Sequence, residues 1–391
     1  MTPAARTQAA IELLDAIILS AREGGAAADK LIARYFARRR YAGSNDRRAV
    51  RETVYAAIRA LGERPVNGRR AMLALAAGDP TLAATFDGSQ HGPAPIEAGE
   101  AAAKRGVAPA WLVKALKASE LDHEEIGALI DRAPLDLRVN RLRATPEEVA
   151  KKITGTQPIA GLPNALRLAA GTDVASLAGL VEVQDAGSQF ATLATNARPG
   201  MRVVDLCAGG GGKTLALAAA MANDGIILAT DTDRGRLSQL GPRAARAQVS
   251  IIETRLLDPG HEPEALDSWR GRADIVLIDA PCSGTGTWRR NPEARWRLTP
   301  DRLRRLASEQ ARLLAIGAPL VRPGGALFYV VCSLLDLEGA GPITAFLADR
   351  PGWAADTLRL PSGRAHGPGV RLTPTHDGTD GFFVARLSAP C

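Results

Sequence analysis

The chain has 391 residues with 46% hydrophobic content, more than one domain usually holds, so two or three domains, each with its own core, are expected. A net charge of +7 and a pI near 9.5 favour a polyanionic partner over an acidic or neutral one. The four cysteines, Cys207, Cys282, Cys332 and Cys391, contain no Cys-x-x-Cys pair, which argues against a zinc site and a disulfide framework. The start carries no apolar signal core and no run reaches membrane-spanning length, so the reading is a cytoplasmic protein with reduced thiols, no membrane and no metal.

From about Thr7 to Ala77, apolar residues recur at helical spacing: Ile11, Leu14, Ile17 and Ile18, then Leu31, Tyr35 and Phe36, then Val50, Val54, Ile58 and Leu61. A small helical bundle is expected, with Ser44 or Asn45 capping its third helix and Asp46 in the first turn. Basic residues are dense between these helices, with Arg34, Arg38, Arg39, Arg40, Arg47, Arg48, Arg51 and Arg59 opposed by few acids. Such a run reads either as a solvated helix face or as a phosphate-binding surface.

Residues 78–95 are rich in Gly, Pro, Thr and Ala and read as a loop or linker. Helical segments follow around 109–118 and 124–131, then a short alternating strand over Asp136 to Asn140. Thr145-Pro-Glu-Glu148 marks another helix start, with Thr145 as cap, Pro146 in the first turn and Glu148 closing a capping box. A second strand near Ala165 to Leu168 suggests a small α+β module.

Beyond Val181, short apolar runs alternate with helical stretches. Core strands are expected over Val203–Leu206, Ile226–Thr230, Ser250–Ile252, Ile275–Ile278 and Ala326–Val331, the pattern of an α/β doubly wound sheet. Trp353–Leu360 and Gly381–Leu387 read as an antiparallel edge pair.

In an open α/β sheet, ligands bind beyond the carboxyl ends of the strands. The first strand ends in Asp205-Leu-Cys-Ala-Gly-Gly-Gly-Gly-Lys-Thr214, where glycines allow close backbone approach and leave free N–H groups at a helix start. A triphosphate-binding loop would need glycine at position 207, where Cys207 stands. Asp231 after the second strand is placed for ribose hydroxyls or caps the next helix; Asp258 after the third suits an adenine amino group or a surface turn. A glycine loop with Asp231, lacking the dinucleotide spacing, points to an adenosine-bearing cofactor, S-adenosyl-L-methionine. The fourth strand runs into Asp279-Ala-Pro-Cys282, and seen alone Cys282 reads as a nucleophile.

Asp205 to Thr214, Asp279-Ala-Pro-Cys-Ser-Gly-Thr-Gly286, Trp288-Arg-Arg-Asn-Pro292 and Tyr329-Val-Val-Cys-Ser-Leu-Leu335 together resemble the RsmB/Nop/Sun family of RNA cytosine-5 methyltransferases. Val183-Gln-Asp185 with Ser188 and Gln189, and Asp380-Gly-Phe-Phe383, are similar too, and the N-terminal helices resemble a NusB-like RNA-binding domain. The resemblance implies a Rossmann-like class I methyltransferase domain over 181–391, a connecting α+β module over 106–180 and a helical RNA-binding domain over 1–105.

By that resemblance Cys332 is the nucleophile toward cytosine C6, Cys282 assists product release, Asp279 holds the base's N3 and N4 edge, and Lys213 contacts the base and cofactor pocket. Cys207, Ala208, Gly209, Gly210, Gly211, Gly212, Lys213, Asp231, Asp258 and Asp279 line the cofactor site, Cys207 doing so as a small apolar residue of the turn. Arg38, Arg39, Arg40, Arg47 and Arg48, with Arg289 and Arg290 beside Trp288, are the expected RNA contacts; the other role for the latter two is an ion pair with Glu293. The sequence departs from the family where Ala-Pro becomes Gly209-Gly210, where Thr becomes Val331 before the nucleophile, and where Glu-Asn becomes Glu338-Gly339. The implied substrate is ribosomal RNA, with transfer RNA as the alternative and a non-catalytic RNA-binding assembly factor as the competing class; the chain is expected to act as a monomer.

Overall fold

The structure, a computed structural model, describes residues 1–390; Cys391 lies outside the described residues. The chain divides into two compact units, one of Met1–Asp131 with Thr287–Thr299, the other of Arg132–Gly286 with residues from Pro300 onward.

The first unit is helical: α1 (Pro3–Glu23), α2 (Ala28–Ala37), α3 (Ser44–Ala60), α4 (Gly68–Ala76), α5 (Pro80–Ala83), α6 (Ala110–Ala118) and α7 (His123–Ala128). Thr2 starts α1 by accepting from Ala5 N at 3.1 Å, and Gly24 ends it in the left-handed region at φ 74°. The N-cap of α3 is Gly43, not the expected Ser44 or Asn45, and Asp46, in the first turn as expected, accepts from Gly43 N at 3.3 Å and from the chain's amino terminus at 3.1 Å. The core includes the apolar stripe read from the sequence, with Leu14, Ile17, Val50, Val54, Ile58 and Leu61 fully buried.

Segment 287–299 completes this unit, and no local pattern announces that. Trp296 joins the apolar core, while buried Arg295 donates to the Ile58 and Leu61 carbonyls at 2.7 Å each, satisfying the open end of α3. Helices α6 and α7, expected with the α+β module, lie in the helical unit; Gly106 N reaches the Ala60 carbonyl at 3.0 Å and Ala110 N reaches Glu63 at 3.0 Å.

The second unit opens with β1 (Leu135–Val139), α8 (Pro146–Ala150), β2 (Gln157–Ile159), β3 (Leu162–Leu168) and β4 (Val181–Val183), a four-stranded antiparallel sheet in the order β2-β3-β1-β4. Thr145 and Glu148 form the expected capping box on α8. The chain continues through α9 (Ala186–Leu193), β5 (Arg202–Asp205), α10 (Gly212–Ala220), β6 (Ile226–Asp231), α11 (Arg234–Leu237), α12 (Leu240–Ala247), β7 (Ile252–Leu256), α13 (Glu262–Ala265) and β8 (Ala273–Asp279). It closes with α14 (Pro300–Gly317), β9 (Val321–Val331), α15 (Ala340–Ala348), β10 (Ala354–Ala355), β11 (Arg364–His366), β12 (Gly369–Leu372), α16 (Pro374–Asp377) and β13 (Phe382–Ser388).

These strands form a nine-stranded sheet in the order β11-β12-β13-β9-β8-β5-β6-β7, with β10 on β13. The five from β9 to β7 are parallel and β13 runs against β9. Apolar residues cover both faces, as a parallel sheet requires. β7 begins later than read because this edge strand is largely exposed and lacks a continuous apolar run. Of Trp353–Leu360 only Ala354 and Ala355 pair with β13, and the β11–β12 hairpin, rich in Arg, His and Gly, carries no apolar signal.

Candidate active site

Asp205, Asp231 and Asp279 end β5, β6 and β8 and stand at one edge of the parallel sheet. The chain order reverses between β8 and β5, so the connections leave in opposite directions and open the crevice in which such sheets bind ligands.

The loop after β5 is built to lie close to a ligand. Ala208 N donates to the Thr230 carbonyl at 2.8 Å and Gly209 N to Asp231 Oδ2 at 2.7 Å, tying the loop to the end of β6. Gly211, at φ 85°, caps α10, and a Cβ there would run into the Leu240 side chain. Asp231 is not the cap of α11; Asp233 does that by accepting from Arg236 N at 3.0 Å, which leaves Asp231 turned to the loop. Gly209 and Gly210 are covered by arginines that the sequence reading did not single out. The Arg236 guanidinium lies where a Gly209 side chain would extend, and Arg243 donates to the Gly210 carbonyl and to Glu182, the latter at 2.6 Å. The two departures from the family's loop are thus filled by side chains from α11 and α12. No local pattern could have shown it, since both residues read as helix-surface charge.

Beneath the loop, fully buried Asp205 accepts from Thr214 Oγ1 at 2.6 Å. Burial, reinforced by the Asp279 charge and opposed by the Thr214 bond, pushes its carboxyl up to about 7. Lys213 donates to Asp279 Oδ2 at 2.7 Å and lies 5.6 Å from the Phe382 ring centre. Burial acts to lower the Lys213 pKa, but the Asp279 charge and hydrogen bond outweigh it and the ammonium is held above its ordinary value. The two remote motifs also meet, since Asp380 N donates to both Asp185 oxygens at 3.1 Å.

Cys282 and Cys332, fifty positions apart, bring their Sγ atoms within 3.4 Å. They follow β8 and β9, which are neighbours in the sheet. The hydrogen bond with Cys332, then burial, then the charges of Cys332 and Glu338 push the Cys282 thiol well above its ordinary pKa, so it holds its proton firmly. Burial likewise raises Cys207, which packs at the edge of the core under the loop, as an apolar filler does.

Asp258 is exposed, its carbonyl accepting from His261 N at 3.0 Å in a surface turn. Arg289 and Arg290 are half-buried in the helical unit, where the Arg289 carbonyl accepts from Arg59 at 3.2 Å; Glu293 is buried and accepts from Ala28 N at 3.0 Å. Arg38, Arg40, Arg47 and Arg48 are exposed, whereas Arg39 lies 3.6 Å from the Tyr35 ring centre and pairs with Glu12 at 3.2 Å. Among the described residues no group of three or more His, Cys, Asp or Glu side chains could hold a metal ion, and no helix is long and apolar enough to cross a membrane.

Residues 192–388 match the family described as 16S rRNA methyltransferase RsmB/F. The probable ribosomal RNA small subunit methyltransferase B of Synechocystis is 35% identical over 299 residues, 71% of this chain and 66% of its own. The ribosomal RNA small subunit methyltransferase B of Sodalis glossinidius is 33% identical over 297 residues, 72% of this chain and 66% of its own. The chain thus spans just under two thirds of the length of these curated relatives. Among solved structures, PH0851 matches with a TM-score of 0.76 at 25% identity, covering 99% of both chains. A methyltransferase homologue from Pyrococcus horikoshii matches with a TM-score of 0.59 at 26% identity, covering 72% of this chain and 99% of its own.

Proposed function

The chain belongs to the 16S rRNA methyltransferase RsmB/F family, and from that premise we propose that it methylates C5 of a cytosine in ribosomal RNA through a covalent adduct with Cys332. The observation that carries the reading is the pair of thiols 3.4 Å apart, at the same sheet edge as the Lys213–Asp279 ion pair and the glycine loop.

The loop fits S-adenosyl-L-methionine. Gly209, Gly211 and Gly212 keep the backbone bare of side chains, and Asp231 is held beside them with one oxygen on Gly209 N and the other on Asp233 N. Ala208 to Lys213 and Asp231 would hold the cofactor, with Asp258 at the rim. When bound it supplies an electrophilic methyl group on a sulfonium.

Cytosine C5 is a weak nucleophile, and the protein's part is to make it a strong one. The Cys332 thiolate adds to C6, and the ring electrons move to C5, which becomes enamine-like. Asp279 holds the N3 and N4 edge of the base, with Lys213 fixing the carboxylate. After C5 is methylated, its proton passes to solvent water, the C6–S bond breaks and the thiolate returns to Cys332. Cys282 serves this release as a protonated thiol, whose Sγ lies 3.4 Å from the leaving Cys332 sulfur and whose S–H can donate to it. A base must leave its stack to reach Cys332, so single-stranded or loop RNA is the substrate form.

The exposed arginines around α2 and α3 form the RNA-gripping surface of the helical unit. The chain acts as a monomer in this reading, and a ribosomal RNA substrate puts its work in the cytoplasm. Tritiated cofactor supplied with small-subunit ribosomal RNA and with transfer RNA, followed by bisulfite sequencing, tests the reading. One methylated cytosine in ribosomal RNA is expected, absent with Cys332→Ala. Label in transfer RNA alone would reassign the substrate, and tight RNA binding without transfer would make this a non-catalytic RNA-binding factor.

A further inference from the structure

The reaction proposed above needs two thiols from separate loops at one base. The sheet does not by itself deliver this, because the β8 and β9 ladder ends at Asp279 and Val330, and both cysteines lie beyond it. Backbone past the end of a ladder is free to drift unless something else holds it.

Glu338, fully buried just ahead of α15, holds both loops. Its Oε1 accepts from Ser283 N at 2.8 Å and from Gln310 Nε2 at 3.2 Å. Its Oε2 accepts from Ser333 Oγ at 2.6 Å and from Ser283 Oγ. Ser283 and Ser333 are the residues immediately after Cys282 and Cys332. The carboxylate is itself anchored: Tyr329 Oη donates to the Glu338 carbonyl at 2.6 Å, and Gln310 Nε2 also donates to the Pro281 carbonyl at 2.9 Å. Thr285 extends the web, accepting from Leu334 N at 2.9 Å and lying 3.1 Å from Ser333 Oγ.

We propose that Glu338 is a positioning residue for the methyl transfer, one buried carboxylate that binds the Cys282 and Cys332 loops together and so sets the spacing of the two thiols. This inference rests on the two-thiol reading of the site. A carboxylate is costly to bury, and apolar side chains would close a core at lower cost. What a carboxylate offers instead is four charge-assisted hydrogen bonds from one point, with fixed directions. Three of the four come from the residues next to the thiols. The same charge also helps keep the Cys282 proton in place, so Glu338 acts on both the position and the protonation of that thiol.

Glu338→Gln, Glu338→Ala and the double variant Ser283→Ala/Ser333→Ala test it. Glutamine keeps the shape: its carbonyl can accept from Ser283 N and Gln310, and its amide can donate to hydroxyls that rotate to receive it. Glu338→Ala is expected to lower kcat about 30- to 100-fold, as misplacement of a reacting group by an ångström does. KM for RNA and cofactor should stay within about threefold, because neither is bound through this residue. Glu338→Gln should recover kcat to within about fivefold of the parent. A second readout needs no activity: diamide takes the two thiol hydrogens and leaves a Cys282–Cys332 disulfide, measured by mass spectrometry. That closure should be at least about tenfold slower in Glu338→Ala and near the parent rate in Glu338→Gln.

Unchanged kcat and disulfide rate in folded Glu338→Ala would overturn the proposal, and so would a Glu338→Gln variant as slow as Glu338→Ala in both. If Glu338→Ala does not fold, the double serine variant decides on the same two readouts, with lost kcat at unchanged KM expected and parental values overturning it. If the parent transfers no methyl group while its disulfide closes faster than that of Glu338→Ala, the tie between the loops stands and the enzymatic reading falls.

Discussion

The Lys213 ammonium and the Asp279 carboxylate, 2.7 Å apart, join the first turn of the helix after the glycine loop to the end of the strand that leads into Pro281-Cys282. One ion pair therefore links the proposed cofactor loop to the acid proposed to hold the base, and a shift of either is felt by the other. Lys213 is nearly buried, whereas a third of the Asp279 side chain is open, which leaves the acid free to reach a base.

Lys213→Met removes the cation but keeps the stem. The released Asp279 rehydrates in part, so the loss of stability is about 1–3 kcal/mol, read as a lower denaturant midpoint at unchanged slope. Methyl transfer should fall more steeply, about a hundredfold or more in kcat/KM, because the acid loses its orientation.

The two thiols should fail in different ways. With Cys282→Ala, addition to C6 proceeds while elimination stalls, and a covalent protein–RNA species appears on a denaturing gel. With Cys332→Ala there is neither adduct nor product. Methylation by Cys332→Ala would move the nucleophile to Cys282.

Asp205 gives the stability a pH dependence of known sign. Its carboxyl, raised to about 7 in the folded protein from an ordinary value of 3.8, keeps a proton that the unfolded chain gives up. Its contribution is fully present below about pH 4 and is lost as pH rises through about 7. Asp205→Asn cannot titrate. Relative to this variant, the parent should lose up to about 1.4 kcal/mol per pH unit between pH 5 and 7, measured by chemical denaturation at a series of pH values.

The proposed RNA-gripping arginines differ in how far they are tied to the fold. Replacing Arg38, Arg40 and Arg48 together by Ala should leave the melting temperature within a degree or two and weaken RNA binding. The slope of log affinity against log salt should become shallower by about 0.7 for each single-strand phosphate that is no longer neutralised. Arg39→Ala and Arg47→Ala behave differently, since Arg39 contacts Tyr35 and Glu12 and Arg47 donates to the Ala42 carbonyl at 2.8 Å, which makes both partly structural.

The bundle stripe, the capping box at Thr145, four of the five core strands and the three strand-end acids were legible in the sequence because their signals are local. Apolar period, cap residues and turn residues act over a few positions. The misreadings occur where that signal fades, at the exposed edge strand β7 and the polar hairpin of β11 and β12. Arg289 illustrates another limit, since a residue type in a suitable place does not say what surrounds it.

Sequence alone determined which chemistry the chain carries: an acid, a glycine loop and two cysteines, each at the end of an apolar strand. Tertiary structure alone decided that Cys282 and Cys332 come within 3.4 Å, and that Arg236 and Arg243 cover the two unusual glycines. It also decided that Glu338 gathers both thiol loops and that segment 287–299 completes the helical core. The reason is the range of the forces. Strand order and side-chain packing join residues from tens to more than two hundred positions apart, and such contacts leave no periodic trace in the stretch that makes them.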